Sequence, residues 1–441
     1  IAIIEVGGTV GDIESQPFLE AIRQFRHEIG YQNSVLIHVT LVPYLKASGE
    51  LKTKPTQQSV KALQGMGIFP DVIVCRTEVP LEDGIESKIA LFCNVPEDHV
   101  LQNLDVEYLY EAPLAMEKER LAQVVCECLN IPCPEPQLGD WKQMVDALKN
   151  PTSEVTIALV GKYIQLHDAY LSVMEALKHG GIANRTKVSI KWVDSEFLTP
   201  ESLDDTFAGV DGIIIPGGFG SRGTEGMILA ANYARENKIP FLGICLGMQM
   251  AMVAFARNVL GYEDANSSEL NPDTTHPVVD LMPDQNGIEN LGGTLRLGSY
   301  PCVLDKKSKA YALYGTELIN ERHRHRFEIN NHYRDDFTSH GMMISGQSPD
   351  GHIVEMIELP DHPFYVGIQA HPELKSRPNH AHPLFAGFVE SAEEQGVLRR
   401  AKKLLMKRNH LSEPEAHRYL QKTSMDTGRT MTESAHMVTM L

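Results

Sequence analysis

Long apolar runs are missing from this 441-residue chain: no stretch of about 18 consecutive apolar residues occurs, so no membrane-spanning helix is expected. Cysteine is scarce, with Cys75, Cys93, Cys126, Cys128, Cys133, Cys245 and Cys302 the only seven. So few, and odd in number, they argue against a disulfide framework and for a reducing, cytoplasmic setting. Cys126, Cys128 and Cys133 have no histidine or further cysteine at a zinc-like spacing, so no structural metal is expected there. Positive charge is also in deficit. With 40 Lys and Arg against 58 Asp and Glu the net charge is −18, which disfavours a generally basic nucleic-acid binder. No G-x-x-x-x-G-K-[ST] phosphate loop is found; the nearest piece, Val160-Gly161-Lys162, lacks the loop before it. No secretory signal is visible in the residues given, and no internal repeat is found across the two halves. The chain opens at Ile1, inside the apolar run IAIIEV and without methionine, which reads as a missing N-terminus.

What is present is enough chain for two or three domains. IAIIEV, SVLIHVTLV and DVIVCRT read as buried strands, with helical spacing in PFLEAIRQFRHEIG and SVKALQGMGI between them. Buried strands separated by amphipathic helices argue for a parallel α/β sheet. A proline-rich stretch, IPCPEPQLGD, and the short helix WKQMVDALK read as an interdomain connection. A second α/β unit follows, with strands VTIALVG, VSIKWVD, VDGIIIPGG and IPFLGIC, and it closes with YVGIQAHPE. Residues 263–298 are expected to be loop-rich. From Gly396 onward nine Lys/Arg outnumber four Asp/Glu, and Ser412-x-x-Glu415 and Thr430-x-x-Glu433 are capping boxes. This tail is expected to be a separate module of three short helices.

The strongest chemical signal is Gly243-Ile244-Cys245-Leu246-Gly247 between a strand and a helix. Small residues on both sides permit the sharp turn of a nucleophile elbow, and the helix N-terminus favours a thiolate. Taken alone, the pattern fits a buried structural cysteine equally well. Two further segments add to it. Pro216-Gly-Gly-Phe-Gly220 follows an apolar strand and offers backbone N–H groups to an oxyanion. His371-Pro372-Glu373 places a base and an orienting carboxylate at another strand end.

PGGFG, GICLGMQ and QAHPE resemble the class I glutamine amidotransferases. The resemblance implies that Cys245 attacks the glutamine side-chain amide, that His371 shuttles the proton and that Glu373 orients it. It also implies an oxyanion hole from the Gly218 and Leu246 N–H groups, and glutamine contacts at Gly218, Leu246, Gly247, Met248, Gln249, Glu269 and Arg326. A guanidinium at Arg326 suits an α-carboxylate. Read as bare sequence, RHRHR around it is a solvated basic loop.

In the first unit, EVGGTVGDIES places Glu5 after a run of strand character, ahead of three glycines and further acids. LKTKPTQ packs two cations with hydroxyl and amide donors, which suits a triphosphate. Each alone is as well read as a solvated surface turn. Together with SKIALFC, VGKYIQLHDAY, GGTLRLG and ERHRHRFEINN they resemble the CTP synthase family, in order, from residue 1 to about 390. The resemblance implies a ligase in which ATP phosphorylates UTP and glutamine-derived ammonia displaces the phosphate, giving CTP. It implies Mg²⁺ at Glu5, and UTP or CTP contacts at Asp12, Ile13, Glu14, Lys52, Thr53, Lys54, Pro55, Thr56, Gln57 and Lys88. ATP contacts are implied at Leu104, Asp105 and Val106. GTP activation and a homotetramer are implied as well. The family's phosphate loop would precede residue 1, so the synthase step is not expected to be supported by the residues present.

The tail, AKKLLMKRNHLSEPEAHRYLQKTSMDTGRTMTESAHMV, resembles the ANTAR module, a three-helix RNA-binding domain. The expected fold is therefore α/β with two parallel-sheet domains: a P-loop-like synthetase domain lacking its N-terminal part, and a flavodoxin-like class I amidotransferase domain. A small C-terminal three-helix module completes it. The expected divisions are 1–135, a linker at 136–153, then 154–392 and 396–441. The rival reading is a glutamine- or nucleotide-sensing RNA-binding regulator on the same scaffold. A stand-alone cysteine hydrolase is disfavoured by KTKPTQ and GGTLRLG.

Overall fold

The structure, a computed structural model, describes residues 1–281 and 296–440. It divides into two compact units, Ile1–Val145 and Asp146–Leu441.

The first unit carries three parallel strands, Ile37–Leu41, Val72–Thr77 and Val100–Leu104, with the second in the middle. The central strand is the most apolar, as a strand flanked on both sides must be. Helices Lys54–Gly65 and Ile85–Cys93 connect the strands, and Val60, Ile73, Cys75, Ile89 and Cys93 form the core between them. Two sequence expectations change here. IAIIEV forms no strand, and Ile1, Ile3 and Ile4 are exposed. Apolar character makes a strand only where a neighbouring strand takes up its backbone hydrogen bonds. Strand Ile37–Leu41 is buried on one face only, since Ile37, Val39 and Leu41 are exposed.

In the second unit the described residues form a nine-stranded sheet. Its order is 318–325, 296–304, 343–347, 354–358, 365–368, 241–244, 212–215, 153–161, 186–194. The last five of these run parallel, and the first four join them antiparallel. Successive residues of one strand feed opposite cores. Leu159 packs with Leu177, Phe385 and Phe388, whereas Val160 packs with Met227, Met248 and Met252. The sheet is thus covered on both faces, as parallel strands require.

The stretch expected to be loop-rich contains strands Asn266–Ser267 and Pro277–Leu281, which join Phe327–Ile329 in a small separate sheet. Of GGTLRLG, residues 292–295 lie outside the described residues, and 296–298 begin strand Arg296–Leu304. RHRHR is not a solvated loop. It ends the strand Leu318–His325, whose side chains alternate strictly between exposed and buried, with Glu321, His323 and His325 inside.

The tail helices are Pro383–Asn409, Glu413–Thr427 and Met431–Met440. Both capping boxes form, with Ser412 N donating to Glu415 at 2.8 Å and Thr430 N to Glu433 at 2.7 Å. The first helix is not short. Its 27 residues begin in the sheet's core at Leu384, Phe385 and Phe388 and end in the tail's core at Val397, Ala401 and Leu405. No proline interrupts it, and Gly396 sits where a side chain would strike the Asp211 carboxylate. The expected boundary near 392–396 therefore falls within one continuous helix.

Candidate active site

Strand Phe241–Ile244 pairs in parallel register with Tyr365–Ile368, Gly243 against Gly367 and Ile244 against Ile368. The register continues into the loops, where Cys245 N donates to Ile368 O at 2.7 Å. The residues that directly follow these two strands, Cys245 and Gln369, are thereby set side by side, with His371 just beyond. Cys245 has φ 51° and ψ −102°, a backbone state unfavourable for a side-chain-bearing residue, and caps the helix Leu246–Phe255. Its flanking glycines make the turn possible: a Cβ at Gly243 would lie 2.7 Å from the Gly247 carbonyl carbon, and one at Gly247 would strike the Ile215 carbonyl oxygen. Cys245 thus sits at the N-terminus of a helix, whose first N–H groups have no intrahelical partners and favour negative charge.

His371 Nδ1 lies 2.7 Å from Glu373 Oε1. Both side chains are largely buried, at 15% and 8% exposure. Burial pushes the imidazole down, but the Cys245 sulfur and the Glu373 carboxylate outweigh it and hold His371 up at about 10. The ring's other nitrogen, Nε2, is buried without a hydrogen-bond partner. A Cβ on Gly217 would sit 2.7 Å from His371 Cε1 and 3.5 Å from Cys245 Cβ, so the glycine turn after strand Gly212–Ile215 has to be bare where it passes the pair.

A cavity of ≈ 130 Å³ opens beside the sulfur. Gly218, Cys245, Gln249, Glu269 and Arg326, all expected in the site, line it together with Phe219, His325 and Phe327. Burial raises Glu269 above the usual carboxylate range, against the pull of the Gly220 N–H, Lys162 and Arg326. Gly247 and Met248 stand behind this surface, with Met248 fully buried in the core.

Three contributors escaped the sequence reading. Lys162, noted in the sequence only as the nearest piece to a phosphate-loop pattern, turns its buried ammonium onto the carbonyls of Phe219 (2.8 Å) and Gly220 (2.6 Å) and so fixes the glycine turn. His325 lines the cavity and lies 3.1 Å from His323. Burial drives both histidines down, to about 3 and about 2 respectively, so both are neutral. The third, Gln369, lies inside the QAHPE motif: its Nε2 donates to Cys245 Sγ at 3.6 Å. Only its place in the motif pointed to it.

In the first unit, Leu104 ends a strand, and Asp105 and Val106 follow it at the carboxyl edge, the customary ligand edge of an α/β sheet. Lys52 pairs with Glu50, and Lys54 and Pro55 open the helix Lys54–Gly65. Thr53, Thr56 and Gln57 are buried; Thr56 donates to Leu41 O at 3.2 Å and Gln57 to Thr53 at 3.2 Å. One donor of Thr56 and one of Gln57 are thus engaged within the unit. Lys54 and Lys88 are exposed. Asp12 accepts from Thr9 N at 2.7 Å, closing its own turn, and Ile13 and Glu14 are exposed. Among the described residues no three His, Cys, Asp or Glu side chains gather as a metal site. Exposed Glu5 is a single carboxylate, which suffices for a Mg²⁺ that completes its shell with nucleotide phosphates and water.

Comparison with known proteins gives three family matches: CTP synthase N-terminus over residues 1–131, class-I glutamine amidotransferase over 165–391, and ANTAR domain over 388–438. A CTP synthase of Clostridium beijerinckii is 59% identical over 395 residues, 90% of this chain and 74% of that protein. One from Ruminiclostridium cellulolyticum is 60% identical over 394 residues, 89% and 74% respectively. Among solved structures, the glutaminase domain of Trypanosoma brucei CTPS with bound acivicin superimposes with a TM-score of 0.51 at 38% identity, over 54% of this chain and 93% of that one.

Proposed function

The chain belongs to the CTP synthase family, a glutamine-hydrolysing ligase that uses ATP, UTP and glutamine, and we propose that Cys245, His371 and Glu373 carry its glutaminase step. The observation that carries this is the nucleophile elbow at Cys245 beside the 2.7 Å His371–Glu373 pair on the adjoining strand end. The cavity adds one anion, Glu269, and one guanidinium, Arg326, a match for the α-ammonium and α-carboxylate of an amino acid.

In this reading the Cys245 thiolate attacks the glutamine amide carbon, and the oxyanion is met by the Gly218 and Leu246 N–H groups. His371 gives its proton to the nitrogen, ammonia leaves, and a thioester remains. Water then attacks the thioester and yields its proton to His371, which regenerates the thiolate and releases glutamate. Gln249, with Leu246, Gly247 and Met248 on the helix, shapes the floor under the substrate.

The nucleotide contacts belong to the same proposal: Lys52 to Gln57, Lys88 and Asp12 to Glu14 for UTP or CTP, Leu104 to Val106 for ATP, and Glu5 for Mg²⁺. GTP as activator, a homotetramer and a cytoplasmic setting complete it. Free cysteines and the lack of any apolar helix long enough to cross a membrane, among the described residues, support the last. The basic tail is assigned to RNA, its excess of nine Lys/Arg over four Asp/Glu supplying the phosphate contacts.

Glutamate release from glutamine by the native chain and by Cys245→Ala, with and without ATP, UTP and GTP, tests the proposal. Release that disappears in the variant is expected; release that survives it would remove Cys245 from the mechanism.

A further inference from the structure

Gln369 is completely buried, and its position follows from register: the strand that ends in Ile368 runs beside the one that ends in Ile244, so the next residue of each meets the other. Its backbone is pinned by donation to Glu355 O at 2.8 Å, and the Glu355 carboxylate is itself held by Arg296 at 2.6 Å.

The direction of its side-chain amide is fixed by its neighbours. The carbonyl of Phe327 can only accept, and Gln249 donates to it through Nε2 at 2.9 Å. The same Gln249 nitrogen lies 3.3 Å from Gln369, so the atom facing it there has to be the acceptor, Oε1. Gln369 Nε2 is then the atom turned to the Cys245 sulfur, at 3.6 Å. The opposite orientation would face two donors at one end and an oxygen with a sulfur anion at the other.

We infer that Gln369 is a catalytic residue of the glutaminase site, whose buried amide N–H holds the Cys245 sulfur whenever that sulfur is anionic. The inference rests on the proposed role of Cys245. Once the thiol proton has passed to His371, the N–H of Gln369 faces the thiolate. As the S–C bond forms, the carbonyl π pair moves to oxygen and the sulfur loses its charge, so the contact weakens. Collapse breaks the C–N bond, and the departing nitrogen takes the His371 proton. In hydrolysis the water oxygen bonds to carbon and a water proton passes to His371. The C–S bond breaks with its electron pair returning to Sγ, where the Gln369 N–H receives it; the new carboxylic acid gives its proton to solvent. Gln369 therefore serves the attacking thiolate and its departure from the thioester, whereas Gly218 and Leu246 serve the oxyanion.

The test is the pH dependence of Cys245 alkylation by iodoacetamide, read on the Cys245 peptide by mass spectrometry, in native chain, Gln369→Met and Gln369→Glu. A hydrogen bond to a charged acceptor is strong enough that the Met variant should move the alkylation midpoint up by roughly one to two pH units. The Glu variant, of the same shape but with a carboxylate against the sulfur, should move it further. Acid-quenched thioester from radiolabelled glutamine should accumulate in the Met variant, because thiolate departure slows. A merely structural residue would change neither midpoint nor thioester level at equal melting temperature. Should one variant fail to fold, the other decides. Profiles that superimpose on the native one overturn the assignment of Gln369 while leaving Cys245 in place. A native chain that releases no glutamate overturns both.

Discussion

Replacing Glu373 by glutamine separates charge from shape at the base of the triad. In the native site His371 stands at about 10 because two attractive partners outweigh its burial, and one of them is Glu373 at 2.7 Å. Glutamine keeps an oxygen for the Nδ1 proton and so keeps the tautomer, but it deletes the negative charge. A hydrogen bond to a charged group contributes about 1.5–3 kcal/mol, or roughly one to two pKa units. Glu373→Gln should therefore lower the alkaline limb of glutaminase activity from near pH 10 to between about 8 and 9. The lost imidazolium stabilisation should reduce kcat roughly 10- to 100-fold, with KM for glutamine little changed because Glu373 is not among the residues lining the cavity. The assay is glutamate release between pH 6 and 11 under saturating and limiting glutamine. Glu373 Oε2 is buried without a partner, so the new amide nitrogen is left unsatisfied and the melting temperature has to be followed alongside. An alkaline limb that stays near its native pH in the folded variant would refute the argument that Glu373 sets the charge on His371.

Two predictions concern stability. Arg399 donates to Asp211 at 2.6 Å, and this carboxylate is only 4% exposed; Arg399→Ala should cost about 1–2 kcal/mol by chemical denaturation, the guanidinium's own exposure limiting the effect, and an unchanged midpoint would contradict the contact. His323 and His325 are neutral when folded, depressed to about 2 and about 3, whereas both charge near 6.5 when unfolded; their stabilisation is present above that pH and is lost as pH falls. Unfolding at pH 5 should take up close to two protons through these residues, or about 4 kcal/mol of lost stability at most, and His323→Gln should remove about one proton from the slope of melting temperature against pH.

How much of this was legible in the sequence depends on what fixed each feature. The elbow was legible because its requirement is local: Gly243 and Gly247 leave room that no other residue would. His371 and Glu373 were legible through spacing at a strand end. Gln369 sat in plain view two residues before His371, yet its role depends on parallel register with a strand more than a hundred residues away, which spacing cannot express. RHRHR looked solvated because its composition is basic. The alternation of the strand Leu318–His325 places its two histidines and the preceding Glu321 inside, and alternation of polar residues carries no hydropathy signal. Residues 1–6 erred the other way: the apolar pattern of a strand was present and the pairing partner was not. The Lys52 to Gln57 segment shows cations, hydroxyls and amides in sequence, but not that Thr56 and Gln57 each engage a donor within the fold, which depends on partners at Leu41 and Thr53. Arg399 and Gly396 were legible only as part of a basic helix. Their shared contact with Asp211 shows why that helix does not end where the composition changes.

That helix, Pro383–Asn409, is about 40 Å of continuous α-helix with one end in each of two cores. A tail joined by a flexible linker would reorient by itself in solution, and its amide relaxation would report a fast, private motion. This one cannot. Its rotational diffusion is that of the sheet carrying Cys245, so a fluorophore or spin label on residues 413–440 should show the correlation time of the whole unit. Any large ligand captured by the tail would slow the tumbling of the glutaminase core in equal measure.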